Sequence, residues 1–226
     1  MSKEDEALES SVFDRSRAEG AVISDATYNL TIGLVLCWGF LVNWLLVHYV
    51  KAFWVTGLQP LPFLIGYFAS CFYGAYLFNS SKDPAISFIG YNFVVVPFGL
   101  VLDIVVSRYD PSVVLRAIQL TAVVTFLMMM AGSIVPKFFQ KISSVLTIAL
   151  LCVLIVELFQ VFVLRTHSDW IDWTLAVIFC GYIGYDWGKA NRIPKTVDNA
   201  VDSAAAIYMD VINLFLRILR IIGRKR

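Results

Sequence analysis

The sequence predicts an all-α membrane protein of seven transmembrane helices with the last helix central in the bundle. Three observations carry that expectation. Apolar residues make up 59% of the 226 and charged residues only 15%, with a mean hydropathy of +0.74; a soluble domain has about 45 to 50% apolar residues. The apolar residues gather into seven runs separated by short polar turns, and a run of about 20 such residues crosses roughly 30 Å of hydrocarbon. Within the runs ionisable side chains are few, and the last two hold the most telling ones.

Residues 1–28 carry three basic and seven acidic side chains, so the rest of the chain holds +5 of the net +1. This acidic stretch is expected to be a mobile cytoplasmic tail. It lacks the basic start, apolar middle and small-residue cleavage site of a signal peptide, so the first span serves as the insertion signal. Residues 29–222 are expected to form one seven-helix transmembrane domain, followed by a short basic tail, 223–226.

Span one runs from Ala26 to Val50 and span two from Pro60 to Phe78, where the turn-forming run from Asn79 to Pro84 ends it. Span three covers Ala85 to Val106, with Pro97 placed to kink it. Span four takes Ser112 to Val135 and carries Arg116 near its start. Lys137 to Lys141 are read as the separator before span five, Ile142 to Leu164, whose only charge is Glu157. Span six extends from Trp170 to Gly188, and span seven from Ser203 to Ile222 with a polar run-in from Lys195.

Loop charge sets orientation. Lys3, Arg15, Arg17, Lys82, Lys137, Lys141, Lys189, Arg192 and Lys195 fall on the N-terminal side, against Lys51, Arg108 and Arg165 opposite, so the N-terminus is expected to be cytoplasmic. Seven spans then put the C-terminus outside, against the basic tail Arg224-Lys225-Arg226; a re-entrant last segment is the alternative. The sequons at Asn29 and Asn79 fall on the cytoplasmic side and are expected to stay unglycosylated.

No nucleic-acid-binding patch, P-loop, Ser/His/Asp set or HExxH motif is present, so an enzyme reading has no support. Cys37, Cys71, Cys152 and Cys180 lie in different apolar runs and read as small hydrophobes. No cofactor is implied, and the partners expected from the residues are the lipid bilayer, protons and cations. Trp54, Trp170, Trp173 and Trp187 sit near span boundaries, where aromatic belts anchor.

Asp186 ends span six and Asp210 lies about two turns into span seven from the same side. Ionised side chains in hydrocarbon cost about 2.5 to 3.5 kcal/mol each on insertion scales, so the pair calls for a use or a partner. At about 100° per residue, Ser203, Ala206, Asp210, Asn213, Arg217 and Arg220 share one arc of span seven, and such a stripe faces protein or water. Gly181, Gly184 and Gly188 strip side-chain bulk from one face of span six, and span seven is the expected neighbour. Two carboxylates sharing a site titrate as a unit with one proton between them. When ionised they attract a divalent cation, but two carboxylates fall short of the six to eight oxygens calcium prefers, so calcium is expected as a permeating or weakly bound ion. A second group, Asp103, Arg116, Glu157, Arg217 and Arg220, sits toward the opposite face, read either as buried ion pairs or as a gate that exchanges partners.

Tyr185-Asp186 closing span six and the run Ile207-Tyr208-Met209-Asp210-Val211-Ile212-Asn213-Leu214-Phe215 resemble the signature of the Bax inhibitor, or transmembrane Bax inhibitor motif, family of seven-span membrane proteins. The resemblance is specific over about 40 residues and elsewhere rests on span count and short loops. It implies a pH-sensitive calcium-permeable leak in which Asp186 and Asp210 are the pH sensor and the calcium-associated site. Family members latch the span-six aspartate with a basic residue near the end of span two. This chain has no Arg there; Ser80, Ser81 and Lys82 occupy the turn, and Lys82 is the available point charge. The span-two acid that would meet Arg220 is also missing, which leaves Glu157 or Asp103.

A proton-gated calcium leak is therefore the leading expectation. A proton-coupled cation exchanger and a non-transporting membrane interaction protein are the alternatives. A bacterial cell membrane is the expected location, with the endoplasmic reticulum membrane as the other.

Overall fold

The computed structural model describes residues 21–50, 60–166 and 168–224. The acidic tail up to residue 20, the Trp54 anchor and the last two basic residues lie outside the described residues. Those described fold into seven α-helices and no strand. They are α1 (Asp25–Tyr49), α2 (Pro60–Ser80), α3 (Pro84–Val106), α4 (Pro111–Ile134), α5 (Pro136–Phe159), α6 (Asp169–Ala190) and α7 (Val197–Gly223), with a π-helical turn at Gln160–Leu164 continuing α5.

The starts are written in the sequence. Helices α2 to α5 each begin on a proline, whose missing N–H is unpaired at a first turn anyway and whose fixed φ suits a helix. Ser24 caps α1 by accepting from the Thr27 N–H, and Thr196 caps α7 by accepting from the Asn199 N–H at 3.1 Å. Pro136 also explains one departure from expectation. Lys137 and Lys141 do not separate α4 from α5; they lie in the first turns of α5, exposed, and only Val135 intervenes. Likewise the polar run-in to span seven is helical from Val197.

Among the described residues, four helices are long and apolar enough to cross a membrane: α1, α3, α4, and α5 with its π-helical extension. The apolar part of α2, Pro62–Phe78, is shorter, and α6 and α7 are not among the four.

The chain divides into two compact units: residues up to Ile104 with Ile193–Ala205, and Val105–Arg192 with the residues from Ala206 on. In the first unit α2 and α3 touch at Gly74 and Gly90, where a Cβ on Gly90 would sit 2.7 Å from the Gly74 carbonyl oxygen. A Cβ on Gly99 of α3 would strike Leu46 and Asn43 of α1. The Tyr91 hydroxyl donates to the Val35 carbonyl at 3.2 Å. The start of α7 is tied in by polar contacts: Ser87 Oγ donates to Asp198 Oδ1 at 2.7 Å, Tyr28 and Ser203 hydroxyls meet at 3.1 Å, and Lys195 pairs with Asp25 at 2.7 Å. In the second unit α6 packs on α4 and α5.

Candidate functional site

Helix α6 is pinned in the second unit by small residues and hydrogen bonds. A Cβ on Gly132 of α4 would overlap the Gly184 carbonyl oxygen, and one on Gly184 would run into the Phe139 ring. Gly181 faces Leu146 and Gly188 faces the Gly132 carbonyl. The glycine face of α6 therefore meets α4 and α5, not α7 as expected. Helical geometry supplies the reason: at about 100° per residue Asp186 points roughly 140° or more away from all three glycines, so a helix that brings a partner to Asp186 approaches the other face. Tyr182 donates to Thr147 Oγ1 at 2.9 Å, Trp187 Nε1 to Ser133 Oγ at 2.8 Å, and Arg192 Nη1 to Gln140 Oε1 at 2.7 Å.

On that other face the carboxylates of Asp186 and Asp210 lie close enough to interact electrostatically. Two carboxylates sharing a site titrate as a unit. Asp210 is buried and its Oδ2 has no hydrogen-bond partner among the described residues. Lys189, one turn after Asp186, is its electrostatic neighbour. Tyr182, one turn before, lies within electrostatic reach of both carboxylates. The sequence reading used Lys189 for orientation alone and passed over Tyr182; their i+3 and i−4 spacings from Asp186 were the available signal. Asn213, half-buried, donates to the Met209 carbonyl at 2.8 Å within its own helix. Among the described residues there is no cluster of three or more His, Cys, Asp or Glu able to hold a metal ion.

Toward the other ends of α6 and α7 stands a ladder of ion pairs. Arg217 binds Glu157 of α5 through two nitrogens, at 2.6 and 3.0 Å, and Asp172 of α6 at 3.0 Å. Arg220 lies 3.3 Å from Glu157 and 3.6 Å from Asp172. Arg224 meets Asp172 Oδ2 at 3.0 Å and also Asp169. Asp172 has no exposed surface and touches all three arginines.

Of the five residues grouped by sequence, Glu157, Arg217 and Arg220 come together. Arg116 is exposed and joins none of these pairs. Asp103 belongs to the first unit, buried in α3, with no hydrogen-bond partner for its Oδ2 among the described residues. Lys82 is exposed in the turn between α2 and α3. Asp172 and Asp169 were not singled out from the sequence; two acids in the first turn of a helix, where the dipole favours them, were the sign.

Residues 22–226 match the family described as "Inhibitor of apoptosis-promoting Bax1". The chain is 27% identical over 186 residues to the Bax inhibitor 1 of Schizosaccharomyces pombe, covering 78% of this chain and 66% of that protein. It is 28% identical over 123 residues to an uncharacterized Helicobacter pylori protein, 54% of this chain and 53% of the other. It is 27% identical over 133 residues to an uncharacterized membrane protein of Streptococcus pyogenes, 56% of this chain and 58% of the other. The matched stretch thus spans about half the length of these bacterial relatives. Together with the apolar helices, the match over almost all of the described residues places the chain: it belongs to the Bax inhibitor family of membrane proteins.

Proposed function

We propose that the protein is a pH-sensitive, calcium-permeable leak channel in which Asp186 and Asp210 sense protons and associate with calcium. The observation that carries the reading is the closeness of these two carboxylates, one on α6 and one on α7, within electrostatic reach of each other. A shared proton joins the helices there. Its loss leaves two negative charges side by side, which repel each other and attract a divalent cation. Protons and calcium compete for the same oxygens, so calcium association strengthens as pH rises. With only two carboxylates the ion is cargo, briefly held.

The seven helices act as seven spans, with α7 inside the bundle and the N-terminus cytoplasmic. Support comes from the burial of α7, where Ile207, Tyr208, Leu214 and Leu219 have at most 1% of their surface exposed, and from the bias of Lys and Arg toward the N-terminal side.

Calcium flux into liposomes holding purified protein, recorded against pH, tests the proposal. Wild-type flux is expected to vary with pH, and Asp186→Asn and Asp210→Asn to flatten that variation. Saturable counter-flux with a fixed proton stoichiometry would point to an exchanger. Protein that carries no ions yet keeps a cellular phenotype would point to an interaction role.

A further inference from the structure

We propose that Asp172 is a positioning residue that latches α7 onto α6 and so keeps the cation path closed. On α6, Asp172 and Asp186 are fourteen residues apart; Asp210 of α7 and Arg224, the residue that follows the end of α7, are also fourteen apart. Asp186 meets Asp210 and Asp172 meets Arg224, so one antiparallel register joins the two helices at two points about 21 Å apart along the axes.

The carboxylate pair is the point that protons and calcium act on. The other point is fixed: Asp172 is wholly buried and takes Arg217, Arg220 and Arg224, while Glu157 of α5 grips Arg217 from a second helix. The charges suit the helix ends, acids at the start of α6 and arginines toward the end of α7. A cation that passes Asp186 and Asp210 must part α6 from α7, and the ladder opposes that parting.

The inference rests on the leak reading above. The test compares full-length wild type, Asp172→Asn, Asp172→Glu and Arg224→Gln in liposomes at one fixed pH, reading calcium leak and, by mass spectrometry, amide exchange over residues 213–224. Asp172→Asn and Arg224→Gln are expected to raise the leak severalfold and to speed exchange, with Asp172→Glu returning both toward wild type. Arg224→Gln, which trims one rung at a half-exposed arginine, carries the test should Asp172→Asn not fold. Faster exchange with an unchanged leak overturns the latch, because the ladder then only stabilises; unchanged exchange overturns it too. A wild type whose leak loses its pH dependence in Asp186→Asn, yet is unmoved by Arg224→Gln, sinks the latch alone. Wild-type liposomes that do not leak sink the leak reading and the latch with it.

Discussion

At Gly132 and Gly184 two backbones approach so closely that a methyl group on the first would overlap a carbonyl oxygen, and on the second the Phe139 ring. Alanine at either position must push α4 or α5 away from α6, and overpacking of this kind costs about 1 to 3 kcal/mol. Gly33 and Gly66 also lie in helices, but a Cβ there meets nothing within 4 Å; alanine at these sites is expected to be neutral or to stabilise by up to about 1 kcal/mol. Thermal unfolding in detergent of the four single variants checks the opposite signs. The same spacing logic separates what sequence could reveal from what it could not. Glycines at positions 181, 184 and 188 announced a close contact, yet not with which helix; the angle between them and Asp186 was the clue that the contact faced away from α7. Tyr28→Phe gives a milder test in the first unit: the loss of its hydrogen bond to Ser203 should cost about 1 kcal/mol.

Helix α7 carries the densest set of ionisable side chains, and its two ends of the polar stripe are treated differently. Asp210 meets another acid, whereas Arg217, Arg220 and Arg224 are matched by Glu157, Asp172 and Asp169. Burying a charge is tolerable when its partners are close and its remaining donors are used. Asp172→Asn leaves buried Arg217 short of a partner and is expected to cost about 3 to 5 kcal/mol. Asp169 is 78% exposed, so Asp169→Asn is expected to cost less than about 1 kcal/mol. Chemical or thermal unfolding of the two variants side by side measures the contrast. The element boundaries were largely legible, because prolines and apolar runs mark them. The partners in the ladder were not: sequence gives each charge a depth, but pairing depends on helix rotation and on the reach of arginine side chains. Glu157 could be named as one of two partners for Arg220, while Asp172 was not singled out.

For the whole molecule, the topology proposed above is seven spans with the N-terminus inside and the C-terminus outside, argued from the loop charges. A single cysteine at position 225, in a background without Cys37, Cys71, Cys152 and Cys180, is expected to react with an impermeant maleimide only from the outer side. Reaction from the cytoplasmic side would mean that the last helix re-enters. The account's central claim concerns Asp186 and Asp210, and calcium flux against pH in liposomes carrying the Asp186→Asn/Asp210→Asn double variant tests it most directly. The wild type should show flux that changes between weakly acidic and neutral pH, and the double variant flux that does not. Identical flux from both proteins at every pH would contradict the account.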